Sequence, residues 1–201
     1  MPKEKSDFAV VIPAYNEAER IGKVLERTQK YASLIIVVDD GSTDQTAKVA
    51  QKFKVKVLRH PVNLGKGAAL KTGCEAAFGM GVKIVVTMDS DGQHKPEDIP
   101  RFIKALKDKK VDLVLGSRNL GFGMTLVRIL GNKIDSFLIA RFFGIYVTDP
   151  ICGFRAFTKE AYQKLAWESP GYAVETEMVA KAGLRGLSFV EIPIETLYTD
   201  K

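Results

Sequence analysis

The sequence predicts an α/β domain with a mainly parallel sheet covered by helices on both faces. Three observations carry this. Short β-branched runs alternate with amphipathic stretches, and the runs are apolar on both faces, as strands must be when helices cover them from above and below. Polar residues cluster where the runs stop, at the carboxyl ends where such a sheet gathers its ligand-binding loops. The 201 residues fit one domain over 1–201, able to bury about 70% of the surface its unfolded chain exposes.

In order, FAVVIP (8–13) is the first strand and an amphipathic stretch near 17–31 follows it. LIIVVDD (34–40) leads into a helical pattern over 43–53. VKVLR (55–59) precedes a helix over 66–79, KIVVTMD (83–89) precedes one over 97–109, and VDLVLGS (111–117) is the fifth strand. From about 118 the pattern changes. MTLVRILGNKIDSFLIARFFGI (124–145) is strongly apolar yet carries Arg128, Lys133, Asp135 and Arg141, which reads as one or two amphipathic helices and not as a membrane span. TDPICGFRAF comes next, then helices near 159–167 and 174–183 and a last strand SFVEIPIETLY (188–198).

Lys and Arg number 30 against 24 Asp and Glu, a formal +6, which admits an anionic partner: nucleic acid, anionic lipid or a phosphorylated substrate. Nucleic acid fits poorly. The basic residues are scattered without an aromatic-basic stripe, and acidic strand ends repel phosphate unless a metal intervenes. Cys74 and Cys152 stand far apart, with no Cys or His at metal-ligand spacing, and read as reduced thiols of an intracellular protein. MPKEKSDF has no apolar signal core, and no segment approaches the ~18 consecutive apolar residues of a span. The expectation is a soluble or peripherally attached chain.

PAYNE ends the first strand, DDGSTD the second, DSDGQ the fourth and GSRN the fifth. Ser42 or Thr43 could cap the helix carrying Ala47 and Val49, but that leaves consecutive Asp39 and Asp40 on an apolar strand end unexplained. In an extended segment residues two apart point the same way, so Asp89, Asp91 and Gln93 can converge on one point. Mg²⁺ or Mn²⁺ suits them, because such an ion takes one or two carboxylates and fills its shell with water and substrate phosphate.

Other readings of this stretch exist. A calcium loop fails, since its sixth position would be His94 and its twelfth Pro100. A phosphoaspartyl enzyme could use Asp89 as nucleophile, and DSDG could simply be a turn, which leaves Gln93 without a task. NLGKG (63–67) brackets Lys66 with two glycines before a helix start, an arrangement that suits phosphate or is an ordinary glycine-rich turn. It is not a Walker loop. His60 and His94 read as solvated loop positions, with support of a nearby metal site as the alternative for a turn histidine, and no Ser/His/Asp or Cys/His set assembles for nucleophilic catalysis.

Taken together, VIPAYNE (11–17), IIVVDDGSTD (35–44), NLGKGAALKTG (63–73), MDSDGQHKPEDIP (88–100), GSR (116–118), GN (131–132), GFRAF (153–157) and ETE (175–177) resemble the family 2 glycosyltransferases, most of all the dolichyl- or polyprenyl-phosphate mannosyl- and glucosyltransferases. The motifs run in order from residue 8 to about 195. The resemblance implies a GT-A fold that binds a nucleoside diphosphate sugar such as GDP-mannose or UDP-glucose. Pro13, Ala14, Tyr15, Glu17 and Asp40 would line the nucleoside pocket, with Lys66 at the phosphates, while Asp89, Asp91 and Gln93 would hold Mg²⁺ or Mn²⁺.

Charge decides the reaction that the resemblance implies. The metal and nearby cations must stabilise a diphosphate leaving group. A lipid phosphate acceptor is already anionic and needs orientation more than a base; Arg118 is the first candidate to bind it, then Arg128, Lys133 and Ser136. In-line attack would invert the anomeric centre. A neutral hydroxyl acceptor would instead need a carboxylate base, for which Glu175 and Glu177 are the candidates, although both also suit a first helical turn. Arg155 could touch substrate or pair with one of these glutamates. A saccharide acceptor, and a donor-binding module without catalysis, stay open as alternatives.

The 124–145 segment could lie on an anionic bilayer or simply cover the sheet as a core helix. The resemblance implies a peripheral place at the cytoplasmic face of a membrane. Many relatives continue past the last strand with a basic segment, and some with transmembrane helices, so a chain ending at Lys201 reads either as a compact form or as a catalytic domain of something longer.

Overall fold

The computed structural model describes residues 6–118 and 126–197, without the side chains of 126–129. Strand β1 (Phe8–Ala14) is followed by helix α1 (Ile21–Thr28), β2 (Ile35–Asp39), α2 (Thr46–Ala50), β3 (Lys56–Arg59), α3 (Lys66–Gly79) and β4 (Ile84–Thr87). A 3-10 turn at Pro96–Asp98 leads into α4 (Ile99–Lys109) and β5 (Leu113–Arg118). Then come α5 (Leu126–Phe143), β6 (Arg155–Thr158), α6 (Lys159–Leu165), α7 (Val174–Leu184) and β7 (Phe189–Ile194). The seven strands form one sheet in the order β3-β2-β1-β4-β6-β5-β7. Every pairing is parallel except those of β6.

Alternation along the strands builds two core layers. Ala9 and Val11 of β1 point to the layer with Ala69, Leu70 and Cys74 of α3, whereas Val10 and Ile12 meet Ile21 and Leu25 of α1 and Ile99 and Phe102 of α4, as a two-residue period dictates. The buried side of α1 comes from Ile21, Val24, Leu25 and Thr28, one face of a 3.6-residue helix. At the open edge β3 exposes Lys56 and Arg59, charges that discourage pairing with another chain.

Order and direction position the site. From β1 the chain winds outward to β2 and β3, then returns to place β4 on the other side of β1, so a switch point opens between the carboxyl ends of β1 and β4. Because β6 runs antiparallel between β4 and β5, with Arg155 opposite both Thr87 and Leu115, its first residues lie at that same end.

Of the segment expected to form one or two helices, Leu126–Phe143 is a single helix. Three expectations change. GFRAF supplies a strand that the sequence did not announce. β4 stops at Thr87, so Asp89 and Asp91 lie on the loop beyond the strand. Neither Ser42 nor Thr43 caps α2: its entry is held by Asp44, whose Oδ1 accepts from the Thr46 N–H at 2.9 Å.

Candidate active site

At the switch point lies a cleft of about 190 Å³ lined by Pro13, Ala14, Tyr15, Glu17, Asp40, Asn63, Gly65, Lys66, Ala69, Asp89, Ser90, Asp91 and Tyr172. It gathers, with the exception of Gln93, the residues that the sequence assigned to nucleotide and metal. Pro13 and Ala14 end β1, Asp40 follows β2, and the Asp89 loop follows β4.

The Asp39-Asp40 pair resolves into two anchors. Asp39 is fully buried; its Oδ1 accepts from the Ser42 N–H at 3.1 Å and its Oδ2 sits 3.1 Å from Arg59 Nε. Asp40 accepts from the N–H groups of Leu64 (2.9 Å) and Gly65 (2.7 Å) and from His60 Nδ1 (2.7 Å). Thus Asp40 fastens the NLGKG turn to the sheet. His60, itself steadied by Thr72 Oγ1 at 3.0 Å, is a loop position as expected but a buried one, which holds Asp40 in place.

The glycines of NLGKG serve close packing. A Cβ on Gly67 would come within 2.0 Å of the Ser169 carbonyl oxygen, and the adjoining Ala68 N–H donates to Pro170 O at 3.1 Å. Trp167 Nε1 donates to Gly67 O at 3.0 Å. The loop 167–170 therefore seals one side of this turn, and Tyr172 just beyond it reaches the cleft.

Lys66, the first residue of α3, holds its Nζ 2.6 Å from Asp89 Oδ1 and 2.7 Å from Glu175 Oε1. Burial opposes its charge, but the two carboxylates outweigh burial and hold the ammonium above its usual range. Burial likewise opposes ionisation of Asp89, yet Lys66, His94 and Arg118 together keep that carboxyl below its ordinary value. Room for the pair comes from Gly153, where a Cβ would lie 2.8 Å from both Asp89 oxygens and 3.0 Å from Lys66 Nζ. Thr87 Oγ1 donates to Gly153 O at 2.8 Å and fixes that approach.

Asp91 forms a side-chain turn. Its Oδ1 accepts from the Gln93 N–H at 2.9 Å, while Gly92 takes a φ of +81°, open to glycine at little cost. The bend carries Gln93 away from the cleft lining, so the extended geometry expected for Asp89, Asp91 and Gln93 does not hold through its third member. His94 is buried, not solvated. Its Nδ1 accepts from the Asp89 N–H at 3.2 Å, which places the ring proton on Nε2, and it packs on Phe154 with centroids 5.2 Å apart. Burial holds this imidazole below its usual pKa against the pull of Asp89 and Asp91.

The remaining expected residues are not among those that line this cleft. Arg118 donates through its backbone N–H and Nε to Asp149 Oδ2 (3.1 and 2.6 Å) and through Nη2 to Oδ1 (2.8 Å). The carboxylate that receives this fork is fully buried. Ser136 spends its hydroxyl on Asn132 O at 2.8 Å and is buried. Lys133 is exposed on α5, and the side chain of Arg128 lies outside the described residues. Glu177 accepts from the N–H groups of Glu168 (2.8 Å) and Ser169 (2.7 Å) and pairs with Lys181 at 2.9 Å, so it anchors the 168–169 loop. Arg155 neither pairs with a glutamate side chain nor lines the cleft: it donates to three carbonyls, Cys152 O, Pro150 O and Glu175 O, at 2.8, 2.6 and 2.8 Å.

Cys74 and Cys152 are free and buried. Burial, with Asp149 nearby, pushes the Cys152 thiol up to about 12, so it takes no part as a thiolate.

Among the described residues no three His, Cys, Asp or Glu side chains are grouped to hold a metal unaided. Asp89 and Asp91 supply two hard carboxylates on one cleft. This donor set fits Mg²⁺ or Mn²⁺ whose shell is completed by water and phosphate.

A mainly parallel sheet opened at its switch point, with a polar pocket on one side and paired aspartates on the other, is the frame of a GT-A glycosyltransferase. The model of the family described as glycosyl transferase family 2 matches residues 9–166. The chain belongs to that family. A UDP-N-acetylglucosamine–dolichyl-phosphate N-acetylglucosaminyltransferase of Methanococcus voltae is 35% identical over 95% of this chain and 86% of its own. For the polyprenol monophosphomannose synthase of Mycolicibacterium smegmatis the figures are 32%, 92% and 75%. Among solved structures, glucosyl-3-phosphoglycerate synthase from Mycobacterium tuberculosis with Mn²⁺, UDP-glucose and phosphoglyceric acid superposes with a TM-score of 0.76 at 25% identity, over 96% of this chain and 72% of that one.

Proposed function

We propose that the chain moves a hexose, mannose or glucose, from GDP-mannose or UDP-glucose to dolichyl or polyprenyl phosphate, with inversion at the anomeric carbon. The observation that carries this reading is the gathering of Asp89 and Asp91 opposite Pro13, Ala14, Tyr15 and Asp40 across one cleft. Relatives named for lipid-phosphate acceptors support the acceptor class, and the solved neighbour with Mn²⁺ and UDP-glucose supports the donor class and the ion.

Asp89 and Asp91 would hold Mg²⁺ or Mn²⁺, which as a Lewis acid offsets the charge developing on the departing diphosphate. The rest is done by the chain. Pro13, Ala14, Tyr15 and Glu17 form the nucleoside wall, and Lys66 faces the phosphates from the floor. Arg118, steadied by Asp149 and near enough to lower the Asp89 pKa, is the first cation proposed for the acceptor phosphate, joined by Arg128 and Lys133. Ser136 is left out because its hydroxyl already serves the helix.

The carboxylates speak to the acceptor. Glu175 is buried against Lys66 and Glu177 is tied to backbone N–H groups, so neither stands ready to take a proton. A phosphate oxygen, anionic at pH 7, needs no such base. That favours a lipid phosphate over a saccharide hydroxyl.

Helix α5 supports a peripheral membrane position. Leu130, Ile134, Phe137, Leu138 and Phe142 are exposed along its outer side with Lys133 and Arg141 among them, whereas Asn132, Ser136 and Ile139 are buried on the opposite side. Among the described residues no helix is long and apolar enough to cross a membrane. The outer face is proposed to rest on an anionic cytoplasmic leaflet. Phe137→Ser with Phe142→Ser is expected to weaken partitioning to phosphatidylserine vesicles by at least about tenfold, given roughly 1.5–3 kcal/mol per buried aromatic. Unchanged co-sedimentation would remove α5 from the contact.

The transfer itself is tested with labelled GDP-mannose and UDP-glucose, supplied separately with dolichyl phosphate, Mn²⁺ or Mg²⁺ and detergent. Label entering the organic phase is the expected result. Transfer to a saccharide with none to lipid would overturn the acceptor assignment.

A further inference from the structure

We propose that Lys66 is a resident counter-cation: with no donor in the cleft its ammonium occupies Asp89 and Glu175, and Asp89 becomes a metal ligand only when a nucleoside diphosphate draws the ammonium off. This rests on reading the cleft as a metal and diphosphate site.

The geometry is a three-group chain, Asp89 Oδ1 to Lys66 Nζ at 2.6 Å and Lys66 Nζ to Glu175 Oε1 at 2.7 Å. A divalent ion on Asp89 would share that oxygen's surroundings with a full positive charge, and the two repel strongly in a half-buried site. The two ends of the chain differ. Glu175 is 4% exposed and its backbone is fixed by the Arg155 bond to its carbonyl, while Asp89 opens onto the cleft. Lys66 can therefore keep Glu175 and release Asp89.

Two further features fit this device. Gly153 gives the ammonium and the carboxylate their room, and any Cβ there would press on both. Among the described residues Lys66 also brings the only ammonium to a cleft lining that carries Glu17, Asp40, Asp89 and Asp91, so an arriving diphosphate, rich in acceptor oxygens, meets one cationic donor in that lining. The exchange keeps charge balanced at each stage: ammonium on Asp89 before, and metal on Asp89 with ammonium on Glu175 and phosphate after. Free metal is then poorly held, and ion and nucleotide enter together.

Mn²⁺ binding measured by electron paramagnetic resonance, without substrate turnover, tests this. Wild-type protein is expected to bind Mn²⁺ weakly alone and at least tenfold more tightly with saturating GDP or UDP. Lys66→Met is expected to bind Mn²⁺ alone about tenfold more tightly than wild type and to gain little from nucleotide. Lys66→Gln, which keeps an amide donor toward the two carboxylates, carries the same test if the methionine variant does not fold. Should a folded variant bind Mn²⁺ alone no better than wild type, while nucleotide still recruits the ion to wild type, the counter-cation is overturned and the cleft reading stands. Should wild type take up no Mn²⁺ with either nucleotide, the cleft reading falls and this proposal with it.

Discussion

Asp91→Ala is expected to lower sugar transfer by roughly a thousandfold with the fold intact. The side chain lines the cleft, and in the folded chain its Oδ1 accepts one local bond, from the Gln93 N–H. Loss of that turn bond costs about 1 kcal/mol of stability. The effect on catalysis is larger because the group acts where leaving-group charge grows, and removing one such stabilising contact typically costs 10²–10³ in kcat. The separating measurement is kcat beside the urea unfolding midpoint. Wild-type turnover in the variant would sink the metal-holding role of the loop, whereas a collapsed midpoint would mean that the turn, not the ion, was lost.

Arg155→Met is expected to destabilise the chain by about 3–5 kcal/mol, because three buried carbonyls lose their donor at roughly 1–3 kcal/mol each. Arg155 is 1% exposed and satisfies three carbonyls belonging to the 150–152 loop and the first turn of α7. A methionine fills the volume but donates nothing. Arg155→Lys is expected to recover little, because one ammonium cannot reproduce a planar fork aimed in three directions. Chemical denaturation reads the result, and a loss below about 1 kcal/mol would mean that the carbonyls had found other donors. Since one of the three is the carbonyl of Glu175, the folded fraction is also expected to transfer sugar more slowly.

Most of the frame is legible in the sequence because helix-covered parallel strands are continuous apolar runs: β2 and β4 lie inside runs visible by eye, β1 and β5 overrun theirs by one residue, and α3 covers the predicted 66–79. The cleft is legible for the same reason, since its walls are the residues at which those runs stop. β6 is not. It is four residues long with an arginine at its head, and only neighbours on both sides make it a strand. Asp149 gives no sign in TDP that it will receive Arg118. The tasks of Glu177, His60 and Arg155 depend on backbone groups distant in sequence, and no local pattern records which N–H or carbonyl will need a partner. Gln93 misled because a two-residue period was carried past the strand's end, into a bend at Gly92.

The reversed strand also governs the order in which the molecule can be made. Among the described residues β5 pairs only with β6 and β7, and β4 has β6 as its neighbour on the side away from β1. A chain that has left the ribosome only through residue 118 therefore holds four strands that can assemble, β3-β2-β1-β4, and a fifth, apolar on both faces, with nothing to join. Leu113, Val114 and Leu115 must wait for residues 155–158 and 189–194 to be synthesised. During that interval the exposed edge of β4 and the unpaired β5 are sticky, so the part of the chain made after residue 118 is what a newborn molecule needs to escape aggregation.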